Sequence, residues 1–286
     1  MRFANLDGRA VLLQADRALD IATASDGRFP ADPSLVFDRW DDLRAWADTV
    51  DVAGHEAAQP FDPQRLAAPS PRPRQVIGVG LNYADHAAES GLALPEKPVV
   101  FTKFASSIAG PDVEVSLPGD TVDWEAELVV VIGRGGRDIP EAEALDRIAG
   151  FTVGQDLSER TVQWEGEPAQ FSMGKSFASF APTGPAVVTL DEFADPAALA
   201  VTATIVGEDG QESRVQDGNT DQLVFGVADL VARLSATLDL LPGDLIFTGT
   251  PPGVGAGMKP PRFLRAGETL TTEIEGIGTI TQRFVR

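Results

Sequence analysis

The 286-residue chain contains no cysteine. That excludes disulfides, thiolate-bound zinc, iron–sulfur clusters and a cysteine nucleophile. Histidine is limited to His55 and His86, lysine to Lys97, Lys103, Lys175 and Lys259, and tyrosine to Tyr83. Candidates for acid–base and amine chemistry are therefore few. No apolar run approaches the roughly 18 residues that a membrane-spanning helix needs. The opening MRFANLDGRA lacks the apolar core of a signal peptide, so a cytoplasmic protein is expected. Basic residues are also short: 23 Lys+Arg stand against 43 Asp+Glu, a net charge of −20. Such a field repels nucleic acid and anionic membranes, and neither is expected as a partner. It makes an anionic substrate awkward unless a cation is placed locally.

What is present reads as strands separated by loops. Residues 1–66 form a small N-terminal unit with short strands around Arg2–Leu6 and Ala10–Leu13 and a helix over Leu35–Val50. Residues 67–75, AAPSPRPRQ, read as a proline-rich linker, leaving 76–286 as the catalytic domain. Strands are expected at Val76–Val79, Pro98–Phe104, Glu127–Ile132, Ile148–Gln155 and Ala198–Val206. A closing hairpin, Thr269–Ile274 with Gly278–Phe284, turns at Gly276. One amphipathic helix, carrying Leu223, Val227, Leu230, Val231, Leu234, Leu238 and Leu241 on one face, interrupts them. Asn219 or Thr220 could cap it, and Pro242-Gly243 end it. The pattern predicts a β-rich α+β fold.

Several motifs can be set aside. GVGLNY lacks the third glycine of a dinucleotide loop, GTPPGVGAGMK is not a P-loop, and neither GxSxG nor HExxH occurs. Five segments can carry chemistry. In VDWEAELVVVIG, Glu125 and Glu127 are two apart on a strand and share a face. They are either surface glutamates or a buried pair that needs a cation. In FTVGQDLSERTVQ, Asp156 ends a strand, with Arg160 and Gln163 following on a helical turn. Asp156 could instead cap that turn, with Glu159 as its capping-box partner. Glu125, Glu127 and Asp156 together would form an all-oxygen site suited to Mg²⁺ or Mn²⁺. In LNYADHAAESG, His86 and Glu89 sit at i and i+3, an incidental surface pair or a general base on a lid. Lys175 follows Gly174 in an apolar loop and could neutralise a carboxylate or an enolate. FTGTPPGVG offers Thr248 or Thr250 and backbone N–H donors, or is simply a tight turn.

Seven segments in order resemble the fumarylacetoacetate hydrolase family. They are VIGVGLNYADHAAESG, FTKFASSIAGP, DWEAELVVVIG, GFTVGQDLSERTVQ, FSMGKSFASFAPTGP, LLPGDLIFTGTPPGVG and ETLTTEIEGIGTI, spanning about residues 74 to 286. Within the family the resemblance is to the acylpyruvase and 2-hydroxyhepta-2,4-diene-1,7-dioate isomerase-like branch. The resemblance implies a mixed β-roll paired as a homodimer, preceded by a small N-terminal α/β unit. It implies Mg²⁺ or Mn²⁺, with Ca²⁺ a substitute in crystals, held by Glu125, Glu127 and Asp156. It makes His86 and Glu89 a catalytic dyad and Lys175 a catalytic lysine. Arg160, Gln163, Thr250 and Tyr83 become substrate contacts. The implied reaction is hydrolysis of a C–C bond in a 2-oxo or β-diketo acid of acylpyruvate type, with the metal stabilising the enolate. Decarboxylation of an oxaloacetate-type acid is an alternative, as is isomerisation or hydration of unsaturated 2-hydroxy acids in aromatic catabolism. Two positions depart from the family pattern: Glu159 stands where alanine often precedes the arginine, and Ala178 where aspartate often follows Lys-Ser-Phe.

Overall fold

Alternating and continuous apolar segments make strands the dominant element. A computed structural model describes residues 1–85 and 95–286. Its first strands are β1 (Arg2–Leu6), β2 (Arg9–Gln14), β3 (Arg17–Asp20), β4 (Gln59–Pro60), β5 (Leu66–Ala67), β6 (Val76–Gly80) and β7 (Val99–Thr102). There follow β8 (Ile108–Ala109), β9 (Asp112–Ser116), β10 (Val122–Asp123), β11 (Ala126–Ile132), β12 (Ile148–Gln155), β13 (Ser158–Glu159) and β14 (Ala181–Val188). The last are β15 (Ala200–Val206), β16 (Glu212–Asn219), β17 (Leu245–Phe247), β18 (Thr269–Ile274) and β19 (Gly278–Val285). The fold is α+β and β-rich, with two large sheets and short helices.

The larger sheet runs β4-β3-β2-β1-β14-β12-β11-β17-β6-β7, with β5 on β1 and β8 on β14. The smaller runs β16-β15-β18-β19-β9. Strand β11 explains its own sequence. All seven residues are buried, because each face of the strand meets a separate core. Leu128, Val130 and Ile132 pack with Val201, Ala203, Leu270 and Phe284 of the smaller sheet. Val129 and Val131 pack on the opposite side with Phe3, Phe37, Trp40 and Phe247. A strand covered on both faces needs an unbroken apolar run rather than an alternating one. The smaller sheet is covered on one face, and β15 alternates accordingly.

The leading residues share this framework. β1 pairs antiparallel with β14 and also with β5. The proline-rich stretch is packed: the Asn5 side chain donates to Ala68 O, and Ser70 Oγ donates to Gly243 O at 2.8 Å. Two helices depart from expectation. Residues 35–50 form a helix over Pro33–Val36, a 3₁₀ turn over Phe37–Arg39 and a helix over Trp40–Ala47. Consecutive Val36 and Phe37 are both buried, and Phe37 and Trp40 both pack against Phe3 at 5.4 Å. The tighter turn aims all three residues at one core. The amphipathic helix is shorter than expected, Val227–Ser235, with Gly226 as its N-cap. Asn219 caps the 3₁₀ turn Thr220–Gln222 instead. The intervening residues are held in a bridge: Leu223 pairs with Tyr83, and the Asn82 side chain bonds both N–H and C=O of Phe225.

Candidate active site

The antiparallel register of β11 and β12 builds the site. Ala126 faces Gln155 and Glu127 faces Gly154. Just beyond this ladder, Asp156 N–H donates to Glu125 O at 2.9 Å. Glu125 and Asp156 thus become cross-strand neighbours, with Glu127 two residues inward on the Glu125 face. Ligand atoms from Glu125, Glu127 and Asp156 all lie within 4.8 Å of one another. Glu127 and Asp156 are buried, so neither is a surface carboxylate. Asp156 does not cap the following turn. Glu159 does, accepting from Val162 N–H at 2.8 Å.

Three cations surround this trio. Lys175 Nζ donates to Asp156 Oδ2 at 2.6 Å, to Ser158 Oγ at 2.8 Å and to Glu125 Oε2 at 3.0 Å. Arg160 Nη1 meets Glu125 Oε1 at 2.7 Å, while its Nε and Nη2 both donate to Asp123 Oδ2. Lys103 Nζ donates to Asp156 Oδ1. Burial opposes the charge on Glu125, but Lys175 and Arg160 outweigh it and hold the carboxyl down at about 2. Glu127 goes the other way. Burial, Asp156 and Glu125 push its carboxyl well above the usual range, although it accepts a hydrogen bond from Gly249 N–H at 2.8 Å. Burial pulls Lys175 down, yet Asp156 and Glu125 raise it overall, so the ammonium stays charged. Burial dominates at Lys103 and lowers it.

The donor set fits a hard divalent cation. It consists of carboxylate oxygens only, converging at the end of a strand where two monovalent ammoniums and a guanidinium share the load of the partly buried Glu125 and the buried Glu127, Asp156 and Asp123. Mg²⁺ or Mn²⁺ would be held by Glu125, Glu127 and Asp156.

Neighbouring elements place the remaining residues. β10 pairs with β13, Asp123 opposite Ser158. Asp123 accepts from the N–H groups of Trp124, Gly255 and Ala256, and so is fixed before it meets Arg160. Arg160 opens the helical turn Arg160–Gln163, and its Nη1 donates to Gln163 Oε1 at 2.8 Å. Lys175 follows the turn Phe171–Gly174, which packs against that helix. Gly174 permits the approach, because a Cβ there would lie 2.5 Å from Gln163 N. Tyr83 is fully buried, its hydroxyl has no hydrogen-bond partner among the described residues, and burial together with Glu127 raises it.

The sequence-derived residues divide clearly. Glu125, Glu127, Asp156, Lys175, Arg160 and Gln163 come together. The Thr250 hydroxyl donates to Ala126 O at 2.9 Å and accepts from Gln216 Nε2 at 2.7 Å, so it fastens the 247–255 loop to β11. In that loop the donor that reaches the trio is the backbone N–H of Gly249, which bonds Glu127 and whose φ of +102° favours glycine. His86 and Glu89 lie outside the described residues. Lys103 and Asp123 were not anticipated. The available signal for Lys103 was its rarity: one of four lysines in the chain, set in the apolar strand FTKF.

Known proteins resemble this chain in sequence and fold. The profile of the fumarylacetoacetate (FAA) hydrolase C-terminal domain matches residues 75–285. The human mitochondrial oxaloacetate tautomerase FAHD2A is 47% identical over 220 residues, 76% of this chain and 68% of that protein. A provisionally designated HpcE protein from Mycobacterium smegmatis is 52% identical, with a TM-score of 0.91 over 100% of this chain and 99% of its own. Maleylpyruvate hydrolase from Sphingobium sp. SYK-6, solved with manganese(II) and pyruvate, is 27% identical with a TM-score of 0.79, covering 100% of this chain and 99% of its own. With a matched profile over most of its length and an acidic trio flanked by lysine and arginine, the chain belongs to the fumarylacetoacetate hydrolase family.

Proposed function

We propose that the protein is a divalent-metal-dependent hydrolase that cleaves a C–C bond in a 2-oxo acid of acylpyruvate type. The observation that carries this reading is the convergence of the Lys175 ammonium on Glu125 and Asp156, beside Glu127 and the Arg160–Gln163 pair. A cation held by Glu125, Glu127 and Asp156 would supply the positive charge that favours an enolate over its keto form. The protein groups do the rest. Arg160, held rigid by Asp123, and Gln163 orient the oxo-acid end of the substrate. The Tyr83 hydroxyl, without a partner among the described residues, is a ready donor to a substrate oxygen. Lys175 stabilises negative charge developing on the oxo oxygen. His86, with Glu89 three residues on, takes a proton from water. The water oxygen bonds to the distal carbonyl carbon and the C–C bond breaks. Its electron pair passes to the pyruvate enolate, which is protonated on carbon. The products are a carboxylate and pyruvate.

A second reading is favoured by the 47% identity to a protein named as an oxaloacetate tautomerase. Keto–enol isomerisation moves one proton between carbon and oxygen and needs no attacking water. Both readings use the same trio and lysine. They are separated by offering EDTA-stripped protein, with Mg²⁺ or Mn²⁺ restored, acetylpyruvate and oxaloacetate in parallel. The expected result is metal-dependent release of pyruvate from acetylpyruvate, lost in His86→Ala. Loss of oxaloacetate's enol absorbance without release of any product, and no action on acetylpyruvate, replaces the hydrolase with the isomerase.

A further inference from the structure

Asp156 is fully buried, and its two oxygens face two different lysines. Lys175 takes Oδ2 from the side of Glu125 and Ser158. Lys103 takes Oδ1 from the other side. It follows directly on β7, at the edge of the larger sheet, and its side chain is 0% exposed. Its Nζ also reaches Leu157 O at 3.4 Å and lies 6.0 Å from the centre of the Phe247 ring. The Asp156 backbone is already fixed by its bond to Glu125 O. What remains free in a carboxylate is rotation about its last torsion, which has a broad minimum. A buried ammonium on one oxygen removes that freedom and directs the other oxygen at the trio.

We propose that Lys103 is a positioning residue for the metal centre, acting only through Asp156. The inference rests on the reading of Glu125, Glu127 and Asp156 as metal ligands. It makes a prediction opposite in sign to simple electrostatics. A second cation beside the site repels a divalent ion, so on charge alone the loss of Lys103 tightens metal binding. As an orienting partner, its loss weakens binding, by about 10–100-fold for typical groups behind a metal ligand.

The test is calorimetric titration of EDTA-stripped protein with Mn²⁺, with the melting temperature of each variant recorded in EDTA. Lys103→Met is expected to bind Mn²⁺ about 10–100-fold more weakly than wild type. Lys103→Gln, which keeps an N–H donor without the charge, is expected to fall between the two. Asp244→Ala serves as a stability control. It removes a buried carboxylate that accepts from Gln75 and Leu241 N–H just before β17, whose other end leads to Gly249. It should melt lower and bind Mn²⁺ like wild type. Unchanged or tighter binding by Lys103→Met overturns the proposal, as does an equal loss in Asp244→Ala. If Lys103→Met does not fold, Lys103→Gln decides: weaker binding supports the proposal and wild-type affinity overturns it. A wild type that binds no Mn²⁺ overturns the metal reading itself.

Discussion

At the scale of single residues, the informative groups are those whose chemistry is at odds with their surroundings. Tyr83 is the clearest. A buried hydroxyl without a partner costs roughly 1–3 kcal/mol, and no group among the described residues recovers it. Tyr83→Phe removes that cost while keeping the ring, so the variant should melt at or above the wild-type temperature. If the hydroxyl meets substrate, KM should rise several-fold in the same variant. A lower melting temperature with unchanged KM would place the hydroxyl in an unseen structural bond instead. Residues of this scale were partly legible in the sequence. Glu125, Glu127, Asp156 and Lys175 were candidates from their places on a strand, at a strand end and in an apolar loop, and the family resemblance gave them their roles. Lys103 was not among them, since one lysine in a short strand reads as an edge charge. Its partner lies 53 residues away, and only the fold brings them together. Thr250 differs: the family resemblance implied a substrate contact, and in the fold its hydroxyl bonds Gln216 and Ala126.

At the scale of elements, long apolar strands could be read directly from the sequence and short helices could not. β11 and β12 are specified by continuous burial, and their register fixes the carboxylates. The two four-residue helices that carry Arg160 and precede Lys175 have no periodicity to read. Their mutual position depends on Gly174, where a Cβ would fall 2.5 Å from Gln163 N, 2.7 Å from Gln163 Cα and 2.8 Å from Glu159 O. All three are backbone atoms, so the helices must separate to admit a methyl group. Gly174→Ala should therefore destabilise the protein by about 1–3 kcal/mol. It should also displace Lys175 from the Arg160–Gln163 pair, and a misplacement near 1 Å costs roughly 100-fold in kcat. Mn²⁺ affinity should fall less than kcat, because the backbone positions of the three carboxylates, on β11, just before it and just after β12, do not depend on Gly174. A variant with full kcat would show that Lys175 needs no such support.

At the scale of the whole molecule, the net charge of −20 and the acidic trio act together. Self-repulsion over the surface is screened by any salt, and monovalent ions relieve it within a Debye length of about 8–10 Å at ordinary ionic strength. The trio is different because Glu127 and Asp156 are buried and Glu125 partly so, where screening is weak, and because three carboxylates converge on one point. A divalent ion that binds there stabilises the native state by mass action, by about 2.7 kcal/mol when present at 100 times its Kd. Melting curves of EDTA-stripped protein should therefore rise modestly with NaCl. At matched ionic strength, Mg²⁺ or Mn²⁺ should raise them by several degrees more. Glu127→Gln separates the two effects. It leaves the surface charge almost unchanged and removes the carboxylate that burial and its neighbours already push well above the usual range. The apo variant should melt at or above the apo wild type, since a carboxyl whose charged form burial and its neighbours disfavour is gone, and the divalent increment should disappear. If Glu127→Gln keeps the full divalent increment over NaCl, the ion acts on the acidic surface, and the buried trio is not where it binds.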